Sequence, residues 1–286
     1  MTLLVLARAV ADAAAYLAGM PATAVPLERT DRAPWVWASA QALRSGVDPH
    51  ELAAALRPRA PLVTAQARAD GWLELTLTPE WVAAALADLA AADDNNRAGM
   101  PPAPVPAPVP APIPAPIPAP VVAAHSVQEL IARFETARVA GGASALPDPV
   151  TSRLTLDNPA VTVLLAHARA CRVARQTPLP PTHPGHADPG AVRRLADPLD
   201  LGLLTEILDA PRRLARHDVA PHETAAALLA VAAAYLVWEQ RCPAVPTRPG
   251  EQATPRHIAR QAISMAGRNV LERGMALLGM SAPERM

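Results

Sequence analysis

Residues 157–176 read Asp157-Asn-Pro-Ala-Val-Thr-Val-Leu-Leu-Ala-His-Ala-Arg-Ala-Cys-Arg-Val-Ala-Arg-Gln176. Asp157-Asn158-Pro159 is a helix start: a capping side chain followed by a proline whose missing N–H costs nothing in the first turn. At 100° per residue, Thr162, Leu165, Arg169, Arg172 and Gln176 fall within about 80° of one another. Val161, Leu164, Ala168 and Cys171 form a separate apolar stripe, and His167 points away from the arginines. The helix therefore buries one side and presents a cationic face with a leucine in it. Such a face is ordinarily a solvated surface.

Outward from this helix, residues 123–286 read as a helical bundle. Ser126–Arg138 is a helix capped by Ser126, with Glu129 three residues on. Short helices are predicted at Gly190–Ala196 and Leu199–His217. A long helix runs from Pro221 to Arg241, and a last one from Thr254-Pro255 to about Gly279. On this last helix Arg256, Arg260 and Arg268 lie within about a third of the circumference.

Upstream, residues 100–122 repeat Pro-Ala-Pro-Val/Ile without charge. Proline fixes φ and removes a donor, so neither helix nor sheet is expected; polyproline II, at about 3.1 Å per residue, is. The expected domains are therefore 1–98, a linker at 99–122, and 123–286. Within the first, helices are predicted at residues 2–18 and Trp35–Arg44, from Asp48-Pro49-His50-Glu51, and from Thr78-Pro79-Glu80 to about Ala91. A short β segment at Ala24–Leu27 and a strand pair, Leu62–Arg68 with Trp72–Leu77, complete a small α+β domain. The whole is mainly α.

Composition narrows the chemistry. All 26 basic residues are arginine. The absence of lysine excludes P-loop lysines, Schiff bases and lysine general bases. Net charge is zero, but residues 1–98 hold 8 Arg against 11 acids and residues 122–286 hold 18 Arg against 15. The whole-chain charge does not announce a nucleic-acid binder. The two cysteines, Cys171 and Cys242, point to reduced thiols and a cytoplasmic setting. No apolar run of membrane-spanning length occurs. His183-Pro184-Gly185-His186 spells the His-x-Gly-His signature of class I aminoacyl-tRNA synthetases. It sits between prolines with no strand before it, which marks it as a coincidence. No metal-ligand spacing, cofactor motif or catalytic constellation stands out.

The helix Asn158-Pro159…Ala166-His167-Ala168-Arg169 resembles the opening helix of the anticodon-binding domain of arginyl-tRNA synthetases, which reads Asn-Pro-…-Val-Gln-Tyr-Ala-His-Ala-Arg. The ending Leu278–Met286 resembles that family's terminus, and Pro221-His222 with Glu239…Cys242-Pro243 brackets a matching helix. Glu135-Thr136-Ala137-Arg138 is a worn version of the Asp-Ala-Leu-Arg string that names the domain type (DALR). More weakly, Val25-Pro26-Leu27, Asp48–Ala53 and Gly71-Trp72-Leu73 resemble the additional N-terminal domain of the same enzymes. The resemblance implies a DALR-type anticodon-binding bundle preceded by that additional domain, with tRNA, arginine tRNA in the first instance, as partner. It also implies arginine–tRNA ligase activity, for which the ATP- and arginine-binding domain and its lysine loop have no counterpart here; the proline segment stands in their place. The family's Gln-Tyr is Leu164-Leu165 here, which weakens base stacking.

The reading is a non-catalytic tRNA-binding protein without cofactors, membrane or DNA. RNA contacts are expected at Leu165, Arg169, Arg172, Tyr235, Arg260 and Met286. The alternative is a scaffold that kept the fold and contacts protein, such as a synthetase.

Overall fold

In the computed structural model, residues 2–23, 27–30, 35–60, 63–98, 126–147, 150, 153–176, 188–218, 220–248 and 250–282 are described. The proline segment, the His183–His186 string and Met286 lie outside them.

The chain begins with α1 (Leu3–Ala18), whose Leu3, Leu6, Val10 and Ala14 are buried at helical spacing. Gly19 ends it at φ 62°, a left-handed conformation that glycine takes without a Cβ clash. Then come β1 (Glu28–Arg29), β2 (Val36–Ser39), α2 (Gln41–Ser45), α3 (Pro49–Leu56), β3 (Val63–Ala67), β4 (Leu73–Leu77) and α4 (Pro79–Ala98). The four strands form an antiparallel sheet in the order β1-β2-β4-β3. Alternation in β3 and β4 puts Val63, Ala65, Leu73, Leu75 and Leu77 into the core with Trp37, Leu52, Leu56, Trp81 and Leu86. Asp48 caps α3 by accepting from His50 N–H at 2.8 Å.

The helix expected over Trp35–Arg44 is instead strand β2 followed by the short α2. All four β2 residues are buried, and the strand is paired on both sides. A short apolar run buried on both faces carries no period to separate strand from helix, and ladder bonds outweigh helix propensity. Residues 24–26 of the expected β segment lie outside the described residues; the observed strand, β1, begins at Glu28.

The C-terminal segment contains α5 (Val127–Val139), α6 (Pro159–Gln176), α7 (Pro189–Val192), α8 (Pro198–Leu214), α9 (Pro221–Arg241) and α10 (Pro255–Leu277). Four of these begin with a proline behind an Asp, Asn or Thr, as the sequence requires. Ser126 and Glu129 form the expected capping box on α5. α9 is the central helix: it packs against α5, α6, α8 and α10. At Gly274 a Cβ would lie 2.5 Å from Leu228 Cδ2, so only glycine permits this approach of α10 to α9.

The two segments pack on each other. α4 lies against α7 and α10, and α1 against α8. Asn269 donates from Nδ2 to the carbonyls of Leu89 (3.0 Å) and Ala90 (2.7 Å). Arg29 pairs with Glu206 at 2.7 Å, and Arg193 pairs with Glu80. Among the described residues, no helix is long and apolar enough to cross a membrane.

Candidate nucleic-acid interface

α6 is positioned by its own capping loop. Asn158, buried, accepts from Ala160 N–H at 3.0 Å and donates to Val150 O at 3.3 Å. Thr162 donates its hydroxyl to Leu156 O at 3.2 Å. These bonds fix the segment 153–158 at the start of the helix. Leu154 and Leu156, 58 % and 60 % exposed, stand on that segment at the Thr162 end of the arginine face. Nothing in their local sequence marks them, because exposed single leucines are common.

The apolar stripe read from the sequence is buried: Val161, Leu164, Ala168 and Cys171 all lie inside the bundle, and His167 with them. On the other side, Leu165 is half-buried against the core. Arg169 and Arg172 reach the surface, with side chains 33 % and 54 % exposed. Both are tied to Glu239 near the end of α9. Arg169 Nη1 lies 2.7 Å from Glu239 Oε2, and Arg172 Nη2 lies 2.5 Å from Oε1. Glu239 is legible in the sequence only as part of the Glu239…Cys242-Pro243 string; its pairing across 70 residues is not.

Tyr235 and Arg260 are not on this face. Tyr235 is fully buried, its hydroxyl 2.7 Å from Ser264 Oγ and its ring 5.4 Å from that of Trp238. Burial raises its phenol pKa further above the usual range. Arg260, 6 % exposed, makes a two-pronged pair with the fully buried Asp200, Nε to Oδ1 at 2.8 Å and Nη2 to Oδ2 at 2.9 Å. Trp238 Nε1 donates to the same Oδ1 at 2.8 Å. Spacing on a helix wheel places Arg260 beside Arg256, which is exposed, and Arg268, which is half-buried. The buried carboxylate on α8, 60 residues away, draws it inward instead. In this arrangement Tyr235 and Arg260 knit α8, α9 and α10 together, and an RNA phosphate does not reach them. Met286 lies outside the described residues.

Glu135 and Arg138, in the string likened to Asp-Ala-Leu-Arg, have an internal task. Arg138 donates to both Glu135 oxygens at 2.8 and 2.6 Å and to Ser144 O; Glu135 also accepts from Leu146 N–H at 2.9 Å. The pair pins the loop after α5. Hydrogen bonding from Arg138 and Leu146 holds the Glu135 carboxyl below its usual pKa.

Cys171 and Cys242 are buried thiols that form no disulfide. Burial, then Asp200, pushes the Cys242 thiol up to about 11. Among the described residues, no group of His, Cys, Asp and Glu is placed to hold a metal ion.

Residues 163–286 match the family model of the DALR anticodon binding domain. An arginine–tRNA ligase of Clavibacter sepedonicus is 34 % identical over 139 residues, covering 48 % of this chain and 24 % of the ligase. One of Micrococcus luteus is 32 % identical over 163 residues, covering 54 % and 28 %. The matched part thus spans about a quarter of the length of these curated relatives. Thermus thermophilus arginyl-tRNA synthetase superposes with a TM-score of 0.40 at 18 % identity, over 74 % of this chain and 32 % of that one. Residues 163–286 therefore match the DALR anticodon binding domain, and the chain is related to arginine–tRNA ligases through about half of its length.

Proposed function

We propose that this protein binds tRNA without aminoacylating it. The DALR match over residues 163–286 is the observation that carries the reading. The anticodon arm docks on α6, where Leu165, Arg169 and Arg172 share one face. Arginine meets phosphate through a planar fork and stacks on bases, and an anticodon loop offers both phosphates and unstacked bases. Adenylate formation needs a phosphate cradle and groups that neutralise the transition-state charge. No residue of this chain is assigned to either, and a lysine loop of the synthetase type is excluded by composition. Arginine tRNA is the first candidate among tRNAs because the relatives are arginine–tRNA ligases. The division into 1–98, a linker at 99–122 and 123–286 belongs to the same proposal, as does a cytoplasmic location.

Filter binding with bulk tRNA at two salt concentrations, run beside ATP–pyrophosphate exchange and charging assays, tests the reading. Salt-sensitive tRNA retention with no arginine-dependent exchange is expected. Turnover above a no-enzyme control, or no retention at low salt, overturns it.

One observation favours the alternative of a protein-binding scaffold. Glu239 already holds both arginines of the face, which lowers its attraction for RNA. An absence of RNA binding with retention of a synthetase would support that reading.

A further inference from the structure

We infer that Glu239 is the residue that limits how tightly the α6 face holds an RNA backbone: it acts as a fixed anion competing with phosphate for Arg169 and Arg172. The inference rests on the RNA-binding reading above. Its geometry is specific. One carboxylate is shared between two guanidiniums a helical turn apart, each on a different oxygen, at 2.7 and 2.5 Å. The carboxylate is the less exposed partner, with a side chain 14 % exposed, whereas the guanidiniums reach solvent at 33 % and 54 %. The negative charge therefore lies on α9, deeper than the two guanidiniums it holds. A phosphate arriving at the guanidiniums from outside meets a net charge of +1 from these three groups instead of +2.

The guanidiniums are not blocked by this pairing. Each has five N–H donors, and the bonds to Glu239 engage one on each. Glu239 thus leaves the forks able to donate to a phosphate while opposing it electrostatically at short range, an opposition that solvent at the guanidiniums partly screens. Because the opposition is electrostatic and independent of base identity, it lowers affinity for all RNA sequences alike.

Glu239→Gln is the test, since it keeps the shape and one of the two acceptor oxygens and removes the charge. Affinity is read by filter binding with bulk tRNA and with a single-stranded oligouridylate, across a salt series. Glu239→Gln is expected to tighten binding of both about 3- to 10-fold at low salt, and to steepen the salt dependence. The same substitution in an Arg169→Ala/Arg172→Ala background is expected to give no gain. Binding by Glu239→Gln where the unsubstituted protein shows none overturns the RNA-binding reading and, with it, the inference. Unchanged or weaker binding by Glu239→Gln, with the unsubstituted protein binding through the arginines, overturns the inference and leaves the RNA-binding reading standing. A gain of equal size without the arginines overturns it too. No binding by any of these proteins overturns both. A circular-dichroism melt of each variant separates loss of fold from loss of the site.

Discussion

At the scale of single residues, the side chains that hold the bundle together are polar groups whose partners lie far away in sequence. Asp200 is fully buried and is neutralised by Arg260, with Trp238 completing its hydrogen bonds. Removing one member of a buried pair strands the other charge, which typically costs about 3–5 kcal/mol. Asp200→Asn is therefore expected to lower stability by an amount of that order in urea unfolding; a loss below about 1 kcal/mol would show that Arg260 finds another partner. Glu135 gives a pH signature. Its pKa is depressed in the folded state, so its contribution is complete above the ordinary value of 4.5 and is lost as pH falls through the folded value. Melting temperatures taken from about pH 6 down to about pH 3, across the carboxylate range, are expected to fall less steeply for Glu135→Gln than for the unsubstituted protein. Equal slopes would remove Glu135 from the acid response.

At the scale of elements, α6 is legible in the sequence nearly to the residue, because a capped start and a clean 3.6 period coincide in one amphipathic helix. Its arginine face is legible as a face, but its electrical state is not. Helix geometry places Arg169 and Arg172 together, whereas only tertiary packing brings Glu239 beneath them. For the same reason Arg260 reads as a surface cation. β2 reads as helix because burial on both sides erases the periodicity that distinguishes strand from helix. The pairing with Glu239 also changes an expectation about stability. For an arginine face fully in solvent, Arg169→Ala with Arg172→Ala would leave the melting temperature almost unmoved. With both arginines bridging α6 to α9, a loss of about 1 kcal/mol or less is expected, read from the denaturation midpoint. A loss of several kcal/mol would mean the pair is structural first.

At the scale of the whole molecule, the sequence divides at its prolines, and the division suggests separate modules. The structure joins them through α4, which packs on α7 and α10 and is held by Asn269. Tryptophan fluorescence reports on Trp35, Trp37, Trp72 and Trp81 in the N-terminal segment and on Trp238 in the bundle, while circular dichroism reports mainly on helix. The two probes are expected to give one coincident transition for the full chain. Asn269→Ala is expected to lower its stability by about 1–2 kcal/mol, the usual cost of a buried side-chain hydrogen bond. Two separated transitions would mean that the packing is too weak to couple the segments. The relation to arginine–tRNA ligases covers about half of the chain, and what that half does on its own is the central question. The most direct measurement is the salt dependence of tRNA binding by the full chain beside its Arg169→Ala/Arg172→Ala variant, at protein concentrations where both are folded. The account predicts weaker binding by the variant and a salt slope smaller by about one unit for each phosphate that the variant no longer engages. Equal affinity and equal slope for the two proteins would contradict it.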